Sequence, residues 1–328
     1  MKLLIDELVA RGHVVTLFAS GDCFTEGKLH PVTELNLTET MGRGEAYCYE
    51  YYASAAMAEV LARAGEFDVI HYHLSPAWLP LAATTATPGL FTIHTCPQID
   101  DEFVFRRWPQ VAVNGISRSQ MRSAEVRTGR EFPVVYNGCD FTACEPSYEA
   151  GSYLAYLGRM SLEKNPLDAI RIARTAGLPI VLAGQPQNAK EQQYFAEQIV
   201  PLLDSDAVRW LGPVNHAQKQ ELLRNAAALV FPIQWDEPFG LVMIEAMACG
   251  TPVVAHRRGA VAEVVDDGVT GFHAGVIDAL AELVPRALEL DRRQVRAHAE
   301  SRFGYPAMVD AYLAHYLRLL ESGPSLTR

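Results

Sequence analysis

Residues Phe231–Val254 read FPIQWDEPFGLVMIEAMACGTPVV. An apolar strand is followed by a short loop that contains Glu237, and a helix begins near Gly240 and stops at Gly250, before a second apolar strand. A strand, a short loop and a helix in this order place unpaired backbone N–H groups, and the positive end of the helix dipole, at the edge of a sheet. Such a helix end binds phosphate. The N–H groups in question belong to Phe239, Gly240, Leu241 and Val242.

Glu245 lies inside this helix among apolar neighbours. Burying a carboxylate without donors costs several kcal/mol, so Glu245 needs a fixed partner. At a rise of about 1.5 Å per residue it sits roughly one turn beyond the phosphate-binding end. The cis-diol of a ribose offers two O–H donors there, although an internal arginine or water is an alternative partner. Glu237 precedes the helix and either faces a reacting sugar or is a solvated loop acid.

The loop Gly158–Lys164 follows the first strand of the second half, at an edge where open α/β sheets bind ligands. Its Arg159 and Lys164 are placed to offset the charge of a diphosphate leaving group, or they are ordinary surface cations. With these two cations and a helix N-terminus, the diphosphate needs no divalent metal ion.

His94 ends a strand of the first half and is predicted to look across a cleft, unless it is a capped core or surface histidine. His71 and His73 form an H-x-H pair for which we find no third ligand, so no metal site is predicted.

Short β-rich runs alternate with helical stretches throughout the 328 residues. This alternation predicts an α/β fold with two doubly wound, Rossmann-like domains facing a cleft, and the length suits two domains. The turn-rich segment 138–151 is the expected linker, which gives an N-terminal domain over 1–145 and a nucleotide-sugar-binding domain over 146–305. A C-terminal amphipathic helix within 306–328 is expected to pack back on the N-terminal domain.

The composition excludes several classes of function. The net charge is −11 and neither half is basic, which argues against a nucleic-acid partner. No apolar run is long enough to span a bilayer and no cationic stripe faces anionic lipid, so at most transient membrane contact is expected. The cysteines contain no C-x-x-C pair, which favours free thiols and a cytoplasmic location. The absence of G-x-G-x-x-G counts against a nicotinamide or flavin enzyme.

The segment EPFGLVMIEAMACGTPVVA (237–255) resembles the E-x₇-E signature of glycosyltransferase family four, a large retaining family with the GT-B fold. In chain order, FTIHT (91–95), VVYNGCD (134–140), YLGRMSLEKNP (156–166) and RRGAVAEVVDDGVTGF (257–272) resemble its other motifs. The resemblance covers about residues 7–320.

The resemblance implies a retaining transfer of a hexose from a nucleotide sugar such as a UDP- or GDP-hexose, with no cofactor. The acceptor (a sugar, a lipid-linked sugar or a small molecule) and the oligomeric state are left open. By similarity, Arg159 and Lys164 hold the diphosphate in the loop that begins at Gly158, and Glu245 binds the ribose. Glu237 and the Phe239–Leu241 backbone contact the hexose, His94 reaches it from the other domain, and the Gly212–Val214 loop lies against the base.

Two alternatives remain at this point. One is a catalytically impaired sugar-nucleotide-binding protein, and the other is an epimerase or phosphorylase with the same fold. Family members also have a strand and a Gly-rich loop before the first helix, whereas this chain starts inside that helix. We therefore expect the central strand of the first sheet to be absent, leaving its neighbours with unpaired edges.

Overall fold

The computed structural model describes residues 1–204 and 206–322. Residues 323–328 of the predicted C-terminal segment lie outside the described residues. Contacts divide the chain into two units: the first comprises Met1–Ile116, Met121–Val135 and the segment from Tyr305 onward, and the second comprises Ser117–Gln120 and Tyr136–Gly304.

The boundary between the units differs from the predicted boundary at residue 145. Residues 136–145 belong to the second unit because their backbone is bonded within it. The Cys139 N–H donates to the carbonyl of Phe303 at 2.8 Å, and the nearby Ser147 N–H donates to the carbonyl of Cys249 at 3.1 Å. Sequence reasoning missed this because both partners lie more than a hundred residues further along the chain.

The first unit contains five parallel strands in two separate sheets, β1-β2 and β3-β4-β5. Among the described residues no strand joins these two sheets. Its elements in chain order are α1 (Lys2–Ala10), β1 (Thr16–Ser20), β2 (Lys28–Thr33), α2 (Leu37–Gly42), α3 (Tyr49–Ala62), β3 (Ile70–Tyr72), α4 (Leu79–Ala82), β4 (Gly89–Thr92), α5 (Ile99–Arg107), β5 (Ala112–Asn114) and α6 (Arg118–Thr128), the first turn of α6 lying in the second unit.

The apolar run at residues 133–136 of the first half does not form a strand. Residues 133–136 make only an isolated parallel bridge between Gly115 and Val134. The Gly115 N–H donates to the Pro133 carbonyl and its own carbonyl accepts from the Val135 N–H. Pro133 has no N–H to donate, so a longer ladder is not available to this segment.

The second unit is one sheet of six parallel strands in the order β11-β10-β9-β6-β7-β8. Both faces are covered, and the strands are accordingly continuous apolar runs such as ALVF at β9 and VVAH at β10, buried along their whole length. Its elements are β6 (Leu154–Leu157), α7 (Pro166–Ala176), β7 (Ile180–Ala183), α8 (Ala189–Tyr194), β8 (Val208–Trp210), α9 (His216–Arg224), β9 (Ala228–Phe231), α10 (Leu241–Ala248), β10 (Val253–His256), α11 (Val261–Val264), β11 (Gly271–Ala274), α12 (Leu280–Leu288) and α13 (Arg292–Phe303); α14 (Tyr305–Ser322) follows and belongs to the first unit.

The order of the strands reverses between β6 and β9. From β6 the chain winds outward through β7 to β8, and it then returns to β9 and winds the other way through β10 to β11. The loops that leave β6 and β9 therefore lie side by side at the carboxyl edge of the sheet, at the point where the strand order reverses. Crevices at such switch points are where open α/β sheets bind ligands.

The last helix, α14, packs against α1 of the same unit. Leu4 and Leu8 of α1 share a buried cluster with Val309, Tyr312 and Tyr316 of α14. No helix in the described part of the chain combines the length and the apolar character that crossing a membrane requires.

Candidate functional site

Lys164 and Glu237 meet at the switch point of the second unit. Lys164 follows β6, Glu237 follows β9, and the Lys164 ammonium contacts Oε2 of Glu237. The Trp235 indole N–H donates to the same oxygen at 2.9 Å, and the ammonium lies 4.9 Å from the centre of the Trp235 ring. The two charged side chains are only 17% and 11% exposed. The structure thus brings together two residues that the sequence analysis singled out separately.

The loops after β6 and β9 are joined by direct hydrogen bonds. The Gln234 N–H donates to the Glu163 carbonyl at 2.7 Å. Asn165 adopts a left-handed backbone conformation, with φ of +57°. Its side-chain amide donates to the Pro232 carbonyl at 3.0 Å, while its oxygen caps α7 by accepting from Asp168. The capping contact of Asn165 is local in the chain, whereas its contact with Pro232, just after β9, depends on the strand order.

Gly259 supports Glu237 from behind. A Cβ atom at Gly259 would lie 2.3 Å from both the backbone nitrogen and the backbone oxygen of Glu237, so only glycine fits at this position. The next residue, Ala260, donates its N–H to the Glu237 carbonyl at 2.9 Å. The segment after β10 therefore fixes the backbone of Glu237, a role that the sequence analysis did not assign to Gly259.

The N-terminus of α10 lies beside this pair. Gly240 is the N-cap residue with φ of +82°, a conformation that glycine adopts without strain. The first N–H groups of an α-helix such as α10 have no partner within the helix. Phe239 is buried and packs edge-on against Phe303, with ring centres 5.9 Å apart. The Phe239 side chain is therefore part of the core and not a ligand contact.

Glu245 is the charged residue within α10, and its partner is Lys219 on α9. The Lys219 ammonium lies 2.6 Å from Oε1 of Glu245, and the two side chains are 23% and 26% exposed. The expectation that Glu245 needs a fixed partner is met by a lysine that the sequence analysis had not identified. No local sequence pattern predicts that α9 packs against α10, so nothing in the sequence indicated Lys219 as the partner of Glu245.

Arg159 is oriented by two carboxylates. Its guanidinium lies 2.9 Å from Glu191 and 3.3 Å from Glu163. Glu191 is buried at the start of α8, and its other oxygen accepts from the Gln187 N–H at 2.7 Å. The guanidinium is therefore held at the carboxyl edge of the sheet, in the loop that also contains Lys164.

Gly158, the first residue of that loop, lies close to the end of the neighbouring strand. Its N–H donates to the Ala183 carbonyl at 3.1 Å. At Gly184, where φ is +122°, a Cβ atom would lie 1.9 Å from the Gly158 carbonyl oxygen. The loops after β6 and β7 therefore require glycine at their point of contact.

Val214, the residue predicted to contact the base, lies in the loop between β8 and α9. It lines a cavity of about 410 Å³ together with the sheet residues Val181, Arg209 and Leu211 and with Gln218 of α9. Lys164, Glu237 and Glu245 are not among the residues that line this cavity. The cavity and the charged pairs are separate features of the second unit.

His94 belongs to the first unit, where it pairs with another histidine. Its Nε2 lies 2.9 Å from Nδ1 of His73, and the His73 ring packs against the His71 ring at a tilt of 39°, with 4.1 Å between their centres. Burial, together with the neighbouring charge of His94, lowers the pKa of His73 to about 3. Within the described residues, no three His, Cys, Asp or Glu side chains are grouped as a metal ion would need.

Comparison with protein families matches both halves of the chain. The model described as Glycosyltransferase Family 4 matches residues 1–143, and the model described as Glycosyl transferases group 1 matches residues 143–302. The second match contains the switch-point loops and all of α10.

Individual relatives and solved structures agree with these matches. Glycogen synthase of Mycobacterium tuberculosis is 32% identical over 205 residues, which are 57% of this chain and 48% of that protein. The chain thus spans about half the length of that relative. D-inositol 3-phosphate glycosyltransferase of Mycolicibacterium smegmatis is 28% identical over 315 residues, which are 82% of this chain and 71% of that protein. The structure of Anabaena Alr3699/HepE in complex with UDP superposes with a TM-score of 0.72 at 20% identity, covering 95% of this chain and 94% of that one.

Proposed function

Because this chain belongs to glycosyltransferase family four and has the GT-B fold, we propose that it transfers a hexose from a nucleoside-diphosphate sugar to a hydroxyl acceptor, with retention of the anomeric configuration. The observation that supports this most is the Lys164–Glu237 pair at the switch point, beside the N-terminus of α10. It combines positive charge for a diphosphate with a carboxylate for a sugar hydroxyl.

The positive groups of the site would stabilise the leaving diphosphate. Charge on the diphosphate grows as its bond to the anomeric carbon breaks, and preorganised donors in a partly buried site lower the free energy of that transition state. Lys164, Arg159 and the first N–H groups of α10 are such donors. Since they already supply positive charge, the proposed mechanism uses no divalent metal ion.

Glu245 is assigned to the nucleotide ribose. Lys219 contacts one carboxylate oxygen of Glu245, and a ribose hydroxyl would donate to the other. Val214 and its loop are assigned to the base. Anabaena Alr3699/HepE, which shares the fold, also has a structure with UDP-glucose, and this supports a uridine donor as the first to test.

The transfer itself is proposed as a front-side displacement. The acceptor oxygen bonds to the anomeric carbon on the face from which the diphosphate leaves. The acceptor proton passes to the departing phosphate oxygen, so atoms and charge balance without a covalent enzyme intermediate. The protein contributes position and electrostatic stabilisation, with Glu237 against the hexose. The role of His94 stays a prediction of the family resemblance.

The test begins with thermal shift measurements over UDP- and GDP-hexoses, since a ligand that binds only the folded state raises its stability. The donor that binds is then offered to a panel of sugar, lipid-linked sugar and small-molecule acceptors. Proton NMR of the product reads the anomeric configuration. Glu237→Gln should lose transfer, whereas Glu282→Gln on the exposed face of α12 should not.

Each alternative function has its own outcome in this test. Epimerised donor in the absence of an acceptor would indicate an epimerase, and a requirement for inorganic phosphate would indicate a phosphorylase. Donor binding without turnover over the whole panel would indicate a binding protein. An inverted product would contradict the proposed stereochemistry.

A further inference from the structure

Three of the cysteines lie together in the second unit, behind the Lys219–Glu245 pair. Cys144 is the neighbour that most alters the pKa of both Cys139 and Cys249, which places the three side chains close together. Cys139 and Cys144 flank a short turn, while Cys249 is the C-cap residue of α10. All three are free thiols. The proposed transfer reaction uses none of them.

The backbones that bear Cys144 and Cys249 are bonded side by side. One nitrogen of the Arg296 guanidinium, Nη1, donates to the carbonyls of both Cys144 and Ala248. Three residues beyond Cys144, the Ser147 N–H donates to the Cys249 carbonyl at 3.1 Å. These bonds hold the segments that bear Cys144 and Cys249 next to each other, and a disulfide needs such a close backbone approach.

Gln220 of α9 contacts both sulfur atoms. The side-chain amide nitrogen of Gln220 lies 3.7 Å from the sulfur of Cys144. Its backbone carbonyl oxygen lies 4.0 Å from the sulfur of Cys249. An N–H donor favours the thiolate of Cys144, while a carbonyl acceptor favours the protonated thiol of Cys249. The two neighbouring thiols act in the same direction on Cys144. Their hydrogen bonds lower the pKa of Cys144, while the pKa values of Cys139 and Cys249 are raised.

Access also distinguishes the two sulfurs. Cys144 is 7% exposed and its chain neighbours Ala143 and Glu145 are exposed, whereas Cys249 is 1% exposed. Of these two sulfurs, a small oxidant therefore reaches that of Cys144 first. Cys249 is placed to attack from the protein side.

We propose that Cys144 and Cys249 form a reversible disulfide on exposure to a hydroperoxide, and that this bond weakens nucleotide binding at Glu245. The first part rests on the thiol cluster alone, and the second rests on the proposed function.

The oxidation proceeds in two balanced steps. The Cys144 thiolate attacks the hydroperoxide, forming an S–O bond as the O–O bond breaks, and the alcohol leaves with a proton. The Cys249 thiol then attacks the sulfenic sulfur, the S–S bond forms, and the hydroxyl group leaves as water with the proton of Cys249. Two thiols lose two electrons and two protons, which the hydroperoxide accepts. A dithiol reductant reverses the change.

The bond would disturb the donor site through α10 and α9. It brings two sulfurs from non-bonded contact to about 2.05 Å, and it ties the turn at Cys144 to the end of the helix that contains Glu245. Gln220, which contacts both sulfurs, is adjacent to Lys219 in the chain. The Lys219–Glu245 pair would therefore shift.

The experiment treats the full chain with hydrogen peroxide, blocks the remaining thiols by alkylation, and maps the peptides by mass spectrometry. We expect a Cys144–Cys249 crosslinked peptide about 2 Da lighter than its two thiols, reversed by dithiothreitol. Cys144→Ser should abolish it and Cys139→Ser should leave it. Full alkylation of all three thiols, a crosslink that uses Cys139, or sulfinic acid without a crosslink would overturn the proposal.

Calorimetry with UDP then compares the oxidised and reduced protein. We expect oxidation to weaken UDP binding about tenfold, the scale of one charge-assisted hydrogen bond. Cys144→Ser treated in the same way should bind like the reduced protein. Equal affinity of the crosslinked and reduced forms would overturn the effect on the site. Failure of the reduced protein to bind UDP would instead count against the proposed function, while the peptide map would still decide the disulfide.

Discussion

The ammonium of Lys219 on α9 lies 2.6 Å from Oε1 of Glu245 on α10. This ion pair connects two helices that are consecutive on the same side of the central strands, and it holds in place a carboxylate that would otherwise be poorly solvated. Breaking a partly buried pair from one side leaves the other charge uncompensated. The pair is therefore both a structural contact and a way of orienting Glu245.

Glu245→Gln should weaken UDP binding by about 1.5–3 kcal/mol, because a neutral amide replaces a charged acceptor of the ribose hydroxyls. Titration calorimetry measures the loss, with the exposed Glu282→Gln as the matched control. Unchanged UDP and GDP affinities in Glu245→Gln would mean that this carboxylate does not bind the ribose.

Lys219→Met should weaken UDP binding less than Glu245→Gln, since Lys219 acts on the nucleotide only by orienting Glu245. The double variant should then lose less than the sum of the two single losses, because the residues are in contact and their effects are not additive. The same calorimetry measures all four proteins. Strict additivity would indicate that the two side chains act independently.

Lys164→Met should lower kcat by a factor of about 10²–10³, the usual scale for removing one donor that stabilises transition-state charge. Donor affinity should fall less, since in the proposed site Arg159 and the N-terminus of α10 would still bind the diphosphate. Steady-state kinetics with the donor identified by thermal shift separates kcat from KM. A change confined to KM would assign Lys164 to ground-state binding.

Transfer should persist in excess EDTA. Arg159, Lys164 and a helix N-terminus together supply the positive charge for which other enzymes use Mg²⁺. The measurement compares initial rates before and after chelation. A complete loss that is restored by Mn²⁺ or Mg²⁺ would contradict the proposed mechanism.

Lowering the pH below about 6.5 should destabilise the first unit. Burial lowers the pKa of His71 and of His73 below the ordinary value, so the unfolded chain binds more protons than the folded chain below that pH. The free energy of unfolding therefore falls with falling pH, by up to about 1.4 kcal/mol per pH unit for each histidine that stays neutral. The groups around His71 are His94, His315, Tyr316 and the amino terminus.

Urea denaturation between pH 7.5 and 4.5 measures this loss. His73→Gln should flatten the dependence, whereas His13→Gln, at an exposed histidine outside the cluster, should leave it as it is. A wild-type protein whose stability does not change over this range would show that the cluster does not control acid stability.

The sequence by itself determined the organisation of the second unit and the identity of most candidate donor residues. Alternating apolar runs and helices predict its parallel sheet, and a glycine before an apolar helix predicts the phosphate-binding end of α10. These signals are local, because strand and helix periods and helix stops depend on residues a few positions apart.

The tertiary structure decided which of these residues touch. It placed Lys164 against Glu237, Gly259 behind Glu237, Lys219 against Glu245 and Cys144 beside Cys249. Each of these pairs joins segments far apart in the chain, and their approach follows from the reversal of strand order between β6 and β9 and from the crossover helices that this order packs together. The hydrophobic period of a sequence indicates which face of a helix is buried. Which side chain of another element contacts that face is set only by the packing of the helices on the sheet.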